Sequence, residues 1–526
     1  MRNLVPFSLE LTDAQTSVSF PARRPSLIAF VKEDCPTCRE VMPVLGALRE
    51  ACGDELDCLV IGQDRGGNRM LMSKHGFSLL DDSSLKVSFA WDIETVPTLV
   101  RADAQGRFTS ELIGFVRDEW KALAADVGAG DDTLEGRVDW SKLPAWRPGC
   151  GSKSADPIIA DRLRAESENS PLRARKIEIG QYDDEFEFMF DQGFSDGLPL
   201  IPPTPERVIR MLAGTSRDPQ DVVAEVPPNL GPATVEKVAI NAVMAGCRPE
   251  YFPVVLAAIE AVCNEQYNIH GVMATTMGAS PVLVINGPIR HRIGMNMKLG
   301  ALGQGNRANA TIGRAVRLAV RNIGGAKPGG TERSTLGNPM KFTMCFAEWE
   351  ERSPWEPLHV ERGFRAEQSV VTAYTASSGP ALMVDQDSRT ASQLAGSFGL
   401  ALESIFATKA HYATDTLMVI VPEHVDTLKR DGYTKADIRR RIQAVSSRPI
   451  SALLANDISA TGFKAEFAVG KSEAELARLI PKFRRDEDIM IVVAGSEAGK
   501  FSGAFHGWAT GAIGSVPVSK AIDPWM

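Results

Sequence analysis

Two cysteines separated by two residues are the first group in the sequence that could do chemistry. Cys35 and Cys38 follow the apolar run SLIAFV in the stretch FVKEDCPTCREVMPVL. Such a pair can hold a metal, close a structural disulfide or carry electrons. A structural zinc site takes four ligands, usually from two such pairs, and the sequence contains no second C-x-x-C. The pattern therefore favours redox chemistry, and we expect no metal.

The elements around the pair predict a small α/β domain. SLIAFV is typical of a buried strand, and the next segment has apolar residues at helical spacing, Val41, Leu45 and Leu48, before Gly53. A second strand, a hairpin and a closing amphipathic helix follow, which gives the order β-α-β then β-β-α and an end near Gly130. Cys35 precedes the first helix, whose N-terminus would stabilise a thiolate.

Residues 20–130 resemble the thioredoxin fold family. Pro43 matches the helix-kinking proline of that family, and the motif TVPT at Thr95–Thr98 matches the loop whose cis-proline faces the cysteine pair. The resemblance implies that Cys35 is the attacking thiolate and Cys38 the resolving thiol. It also implies that the bond preceding Pro97 is cis.

The segment departs from the family pattern at three places. Asp34 stands beside the first cysteine, where its charge is expected to raise the thiol pKa. Ala29 replaces a buried acid, and the connection from DCLVIG to TVPT is long. A general thioredoxin is therefore not expected, and a redox-inactive scaffold used for docking is an alternative.

A second unusual cysteine, Cys150, lies between two glycines in RPGCGSK. Glycines allow close approach of the backbone to another group, and the nearby Arg147 and Lys153 would favour a thiolate. The surrounding residues 131–190 are rich in Pro, Gly, Ser and charge, and are predicted to be a connector along a domain surface. An incidental loop cysteine is the alternative interpretation.

From Cys150 onward the chain resembles the UGSC family of (seleno)proteins. The resemblance is carried by Cys150-Gly151-Ser152-Lys153, by GQGNRANATIGRAVRLAVRNIGGAKPGG and by VVAGSEAGKFSG. It places Cys150 at the selenocysteine position and implies redox or sulfur and selenium chemistry. Lys153 replaces the second thiol of the motif, so we hypothesise that Cys35 and Cys38 supply the missing electrons.

A glycine-rich loop in the large C-terminal part could bind an anion. It contains Gly303, Gly305, Asn306 and Arg307, and a helix is predicted to begin near Asn309, its expected N-cap. These five residues are the predicted substrate site. Farther along that helix, a face carrying Arg314, Arg317 and Arg321 is interpreted as solvated or salt-bridged.

No nucleotide cofactor is predicted, because GSEAGKFS lacks Walker A spacing and GQGNRA lacks the dinucleotide fingerprint. His270 lies between a predicted helix and strand and could be a general acid or base, although a structural histidine is the alternative. Its spacing from Cys247 and Cys263 fits no metal pattern.

The net charge of −8 and a pI near 5.6 argue against nucleic-acid or anionic-membrane partners. The N-terminus lacks the apolar core of a secretory signal, no run of about 18 apolar residues occurs, and eight cysteines form no disulfide framework. The expected location is cytoplasmic.

These observations predict an α/β protein with a thioredoxin-like domain at 1–130, a connector at 131–190 and a larger α/β domain at 191–526. The larger domain is hypothesised to contain two related halves, each with two helices, an apolar strand (SPVLVINGPI or DIMIVVAG) and a glycine-rich loop.

The predicted function is a thiol-dependent oxidoreductase acting on a small anionic or sulfur-, selenium- or metalloid-bearing substrate. A thioredoxin reductase or a low-molecular-weight thiol would supply electrons, and a homo-oligomer is compatible with the sequence. Two alternatives stay open, a lyase or transferase whose site the thiols reset, and a redox-switched binding or chaperone protein.

Overall fold

The computed structural model describes residues 4–53, 56–126, 138–167, 169–180, 183–511 and 514–526. The chain divides into two compact units, Met1–Ile177 and Glu178–Met526. The predicted connector at 131–190 is thus divided between the units, and its described residues up to Ile177 belong to the first. The three-part division predicted from the sequence stays a prediction.

The first unit is built on a five-stranded sheet of order β5-β4-β3-β7-β8. Strands β3, β4 and β5 are mutually parallel, whereas β7 is antiparallel to both β3 and β8. The strands are β1 Phe7–Glu10, β2 Ser17–Phe20, β3 Ser26–Val31, β4 Asp57–Gly62, β5 Leu80–Asp81, β6 Thr95–Val96, β7 Thr98–Ala102, β8 Phe108–Ile113, β9 Phe115–Val116, β10 Trp146–Arg147 and β11 Cys150–Gly151. The helices are α1 Pro36–Ala51, α2 Arg65–His75, α3 Lys86–Ala90, α4 Arg117–Asp126 and α5 Pro157–Ser167, with 3-10 turns at Trp140–Lys142 and Lys153–Ala155.

The hydrophobic pattern explains the position of β3 and α1. All six residues of β3 are buried, as expected for a central strand covered on both faces. Helix α1 begins at Pro36, a favoured first position, and buries the face that includes Val41, Leu45 and Leu48. The predicted β-α-β and β-β-α order is confirmed, and the unit is thioredoxin-like. The long connection supplies α2, β5 and α3.

The second unit contains a mixed sheet of seven strands with order β15-β14-β16-β21-β17-β20, in which β22 also pairs with β16. The strands are β12 Val222–Val226, β13 Gly231–Thr234, β14 Ser280–Asn286, β15 Cys345–Ala347, β16 Val370–Val384, β17 Thr414–Ile420, β18 Arg448–Pro449, β19 Leu479–Ile480, β20 Ile489–Val493, β21 Phe501–Ala509 and β22 Val518–Ala521.

Helices flank this sheet. They are α6 Glu185–Asp191, α7 Pro205–Leu212, α8 Val235–Ala245, α9 Phe252–Val262, α10 Ile269–Ala274, α11 Ile289–Arg292, α12 Arg307–Asn322, α13 Leu358–Glu361, α14 Ala391–Leu402, α15 Pro422–Arg430, α16 Lys435–Ser446 and α17 Glu473–Leu476. The 3-10 turns are Pro249–Tyr251, Glu265–Tyr267, Pro339–Lys341, Glu350–Arg352, Ile450–Leu453, Ala465–Ala468, Asp486–Asp488 and Asp523–Trp525. Across the described part of the chain, none of the helices combines the length and apolarity needed to cross a membrane.

The large sheet has two halves of the same topology. In each half an inner strand pairs in parallel with an edge strand, β14 with β15 and β17 with β20. Each inner strand is antiparallel to a central strand, β16 or β21, and these two pair with each other. The chain order is inner, edge and central strand in both halves. The correspondence between the halves therefore differs from the predicted one. The sequence matched DIMIVVAG, which contains β20, with SPVLVINGPI, which contains β14, whereas in the sheet β20 corresponds to the edge strand β15. The helix predicted over SEAELARLIPKF is also only the short α17, since β19 follows it.

Core substitution tests the packing of α1. Leu45 is fully buried, so Leu45→Ala should lower the free energy of unfolding by about 2–5 kcal/mol. Met70 on α2 is 61% exposed, and Met70→Ala should change it by about 0.5 kcal/mol or less. Amide hydrogen exchange in β3 and β4 measures both effects, and equal protection in the two variants would contradict the assigned core.

Candidate active site

The first thiol of the pair forms the cap of a helix. Cys35 is the N-cap residue of α1, with extended backbone angles, and its Sγ accepts a hydrogen bond from the backbone N–H of Cys38 at 3.3 Å. The N–H groups of a first helical turn lack partners within the helix and favour negative charge. The position predicted for a stabilised thiolate is therefore the one that Cys35 occupies.

The loop TVPT lies against this thiol. The Val96–Pro97 bond is cis, as predicted, and Cys35 Sγ lies 3.5 Å from the carbonyl oxygen of Val96. The carbonyl of Pro97 accepts from the backbone N–H of Gly114 at 2.8 Å, which ties the loop to the end of β8. Cys35, Cys38 and Pro97 are thus brought together.

Cys150 lies at the same place. In the β11–β6 pair, Cys150 is opposite Val96 and Gly151 is opposite Thr95, in antiparallel register. The backbone N–H of Ser152 continues the pairing with a bond to the carbonyl of Glu94 at 2.8 Å. Val96, the residue opposite Cys150, is also the residue whose carbonyl oxygen lies 3.5 Å from Cys35 Sγ, so the third sulfur is held next to the pair.

Two contacts fix this segment over the thiols. A Cβ added at Gly149 would lie 2.3 Å from Cγ2 of Thr95 and 2.7 Å from the carbonyl oxygen of Val96, so only glycine allows this approach. The hydroxyl of Thr37 donates to the carbonyl of Pro148 at 2.7 Å. Cys35 and Cys38 are both 0% exposed, whereas Cys150 is half-buried.

The three thiols differ in their affinity for a proton. Hydrogen bonding with Cys38 lowers the pKa of Cys35 to about 5, against an ordinary value of 9.0, and hydrogen bonding with Cys150 also lowers it while burial opposes both. Burial raises the pKa of Cys38 well above its ordinary value, and burial followed by the Cys35 neighbour raises that of Cys150. At neutral pH, Cys35 is the thiolate and the other two are thiols.

One sequence expectation about charge is wrong, and another stays a prediction. The Asp34 carboxylate pairs with Lys32 at 3.5 Å, and its expected effect on the pKa of Cys35 stays a prediction, since hydrogen bonding with Cys38 makes the net change a lowering. Arg147 forms an ion pair with Glu40, and Lys153 Nζ lies 2.9 Å from Asp64 Oδ2. Both cations predicted to activate Cys150 are therefore engaged elsewhere, and the pKa of Cys150 is raised.

Lys153 instead belongs to a polar network that holds the end of β11. Its backbone N–H donates to Gln63 Oε1 at 3.0 Å, and Gln63 Nε2 donates to the hydroxyl of Ser152 at 2.7 Å. The hydroxyl of Ser154 donates to the carbonyl of Ile93 at 3.1 Å. The Ser154 side chain therefore anchors the segment to Ile93, just before TVPT, and the Ser152 side chain anchors it to Gln63.

The predicted anion loop is in the second unit. Asn306, and not Asn309, is the N-cap of α12, because the helix begins at Arg307 and the Asn306 side chain accepts from the backbone N–H of Asn309. Asn309 is buried and bonds to the backbone of Asn296 and Ala301, so its side chain supports the loop. Gly303 and Gly305 are exposed, and the exposed Arg307 donates to the carbonyl of Gly246. A substrate role for these five residues stays a prediction.

His270 is exposed on the short helix α10. Cys247 is buried with its thiol donating to the carbonyl of Thr311 at 3.3 Å, and burial raises the pKa of both Cys247 and Cys263 to about 12. Within the residues that the structure describes, no group of three or more His, Cys, Asp or Glu side chains is arranged to hold a metal ion.

Two of the three arginines on α12, Arg314 and Arg317, are salt-bridged and largely buried, whereas Arg321 Nη2 lies 3.5 Å from the carbonyl oxygen of Gly193. Arg314 makes a two-pronged contact with Asp196 at 2.7 and 2.9 Å, and Arg317 pairs with Glu332 at 3.4 Å. Arg317 is only 7% exposed, and burial lowers its pKa. The salt-bridged interpretation therefore holds for Arg314 and Arg317. Arg317 and Arg321 also line a cavity that the sequence did not predict.

Comparison with other proteins gives a partial picture. No family model matches the chain, and no curated protein matches it. The resemblance of residues 191–526 to the UGSC family therefore stays a prediction.

Solved structures similar to this chain each cover about a quarter of it. StoA from Bacillus subtilis is 18% identical and matches 23% of this chain and 98% of its own, with a TM-score of 0.21. A secreted Mycobacterium tuberculosis disulfide oxidoreductase homologous to E. coli DsbE is 20% identical over 23% of this chain and 95% of its own, with a TM-score of 0.20. The thioredoxin domain of a thiol-disulfide oxidoreductase from Bacteroides vulgatus is 16% identical and matches 24% of this chain and 94% of its own, with a TM-score of 0.21. The thioredoxin-like description of the first unit therefore depends on its sheet order and on the Cys35, Cys38 and Pro97 geometry.

The acidity of Cys35 is directly measurable. The ultraviolet absorbance of thiolate, taken as wild type minus Cys35→Ser, should titrate with a midpoint of about 5. Cys38→Ala removes the largest lowering interaction and should move the midpoint up towards 9.0, whereas Cys263→Ala in the second unit should leave it in place. A wild-type midpoint at or above about 8 would contradict the assignment of Cys35 as the thiolate.

The close approach at Gly149 gives a matched pair of variants. Gly149→Ala should displace β11 and expose Cys35, raising its rate of alkylation by iodoacetamide by roughly tenfold, because local opening controls access to a buried thiol. Gly151→Ala adds the same methyl group where nothing lies within 4 Å, and should leave the rate unchanged. Mass spectrometry of the Cys35 peptide measures both rates, and equal rates would show that β11 does not cover the thiol.

Proposed function

We propose that the chain is a thiol-disulfide oxidoreductase in which Cys35 and Cys38 reduce a disulfide carried by Cys150. The observation that supports this most directly is the register of β11, which puts Cys150 opposite Val96. Cys35 is fully buried, so a dissolved disulfide reaches the half-buried Cys150 first.

The chemistry consists of successive exchanges in which each bond broken is replaced. The Cys150 thiol first loses its proton and attacks R–S–S–R, forming Cys150–S–S–R and expelling R–S⁻, which takes up a proton as R–SH. The Cys35 thiolate attacks the Cys150 sulfur and expels the second R–S⁻, which takes a proton. Cys38 then loses its proton, attacks the Cys35 sulfur and releases Cys150 as a thiol. Two electrons have passed from the dithiol to R–S–S–R, leaving a Cys35–Cys38 disulfide.

The difference in pKa values suits this order. A low pKa makes Cys35 a thiolate before attack and a good leaving group when Cys38 attacks it. The buried Cys38 has a raised pKa and no acid at position 29 to take its proton, because Ala29 is a core residue of β3. Resolution by Cys38 is therefore the expected slow step. A low-molecular-weight thiol or a thioredoxin reductase would restore the dithiol.

The final substrate is proposed to be a small anionic or sulfur-, selenium- or metalloid-bearing compound handled by the second unit, in line with the UGSC resemblance.

A redox-switched binding protein is the second candidate, favoured by the complete burial of Cys35 beneath residues 147–151. Sustained turnover of a disulfide separates the two, because a switch reacts once.

Removal of the resolving thiol should trap the internal intermediate. Cys38→Ser protein treated with glutathione disulfide should accumulate a Cys35–Cys150 disulfide, since Cys35 can attack Cys150 but nothing releases it. Peptide mass spectrometry under non-reducing conditions identifies the linked peptides. Cys263→Ser, which removes a thiol of the second unit, should give no such species.

The contribution of Cys150 is then measured by turnover. Cys150→Ser should slow the reduction of glutathione disulfide by about tenfold or more, because the positioned internal exchange is lost. Full turnover in Cys150→Ser, or only a Cys35–glutathione adduct in Cys38→Ser, would show that Cys150 takes no part.

A further inference from the structure

A cavity of about 380 Å³ lies in the second unit beside the C-terminal half of α12. Its wall is formed by α12, the loop that follows it and the 3-10 turn Pro339–Lys341. The volume is within the range of small-molecule sites, about 300–1,000 Å³. The side chains that matter for its chemistry are Arg317, Arg321, Glu332, Lys341, Pro339 and Phe342.

Cations outnumber the available carboxylates in this cavity. Arg317, Arg321 and Lys341 line it together with Glu332 and Asp196, and Asp196 is already held by Arg314. Glu332 alone is shared between Arg317, at 3.4 Å, and Lys341, at 3.0 Å. Burial, and after it the charge of Arg317, lowers the pKa of Lys341. The cavity therefore has an excess of positive charge that an anion would offset.

Two donors in the cavity wall are open to an acceptor. Arg321 Nε is buried and has no hydrogen-bond partner among the described residues. Lys341 Nζ is buried and contacts Glu332 at 3.0 Å, which uses one of the three N–H donors of an ammonium group. The Lys341 side chain is nine-tenths buried. Buried donors are costly when they lack an acceptor, so this pair is positioned to meet one supplied by a ligand.

The remaining wall indicates what else the ligand contains. Pro328, Pro339 and Phe342 are apolar, and the exposed Leu336 stands at the rim. A phosphate has polar oxygens on every side and would place some of them against these apolar residues. A guanidinium and an ammonium beside an apolar surface suit a single carboxylate on an organic body.

We propose that this cavity binds a small organic monocarboxylate, with the carboxylate at Arg321 and Lys341 and the apolar part against Pro339 and Phe342. The site differs from the predicted loop Gly303–Arg307, since it is formed by the other end of the same helix. The proposal goes beyond the thiol reaction and does not depend on it, because all the lining residues belong to the second unit.

The test uses benzoate as the probe, with benzamide and inorganic phosphate for comparison, titrated into the full-length chain by calorimetry. Benzoate should bind, benzamide should not bind measurably, and phosphate should bind more weakly than benzoate. Lys341→Met and Arg321→Met should each weaken benzoate binding by about tenfold or more, because each removes a charge-assisted contact. Two separate variants are used so that the test still stands if one of them fails to fold.

Arg333→Met is the matched control, since it removes the same charge from an exposed residue outside the cavity lining. It should leave benzoate binding unchanged. Failure of benzoate to bind, tighter binding of phosphate, or equal weakening by Arg333→Met would overturn the proposal. Cys35→Ser should bind benzoate as the wild type does, so a failed thiol mechanism and a failed carboxylate site give different results.

Discussion

The pairing of two residues, Cys150 and Gly151, with the strand that precedes Pro97 is the constraint on which the thiol site depends. It positions the third sulfur, closes the site to solvent and couples residues that are far apart in sequence. Thr37 and Pro148, which share a hydrogen bond across this closure, are 111 residues apart. The pairing requires glycine at 149, where the backbone of β6 leaves no room for a side chain. Backbone geometry, more than charge, therefore determines which thiols meet.

The local part of the site could be predicted from sequence because its signals are local. The C-x-x-C spacing, Pro43 and TVPT are each read from a few consecutive residues, and the structure brings Cys35, Cys38 and the TVPT loop together with Pro43 inside α1. The position of Cys150 could not be derived in the same way, since a two-residue β-bridge has almost no sequence signature and its partner is chosen by packing. The charges beside Cys150 were misleading for a related reason. Arg147 and Lys153 are near it in sequence, but Glu40 and Asp64 are their partners in space.

In the second unit the sequence indicates the type of element better than its exact role. The helix after the glycine loop is present, but its start is set by Asn306, because the side chain of Asn309 is already used by Asn296 and Ala301. A row of arginines at helical spacing normally faces solvent, and here a later segment containing Glu332 and Lys341 folds over it. That coverage is a long-range effect, which helical periodicity does not report.

The matching halves of the large sheet have a consequence for its history. If an ancestral three-stranded unit was duplicated, each half began with the same connection between its inner and edge strands. Today the connection in the first half contains α12 and the loop with Lys341, whereas the one in the second half contains α15 and α16. The cationic cavity lies in the first of these connections alone. Divergence after duplication would then have changed the connections while the pairing of the strands stayed the same.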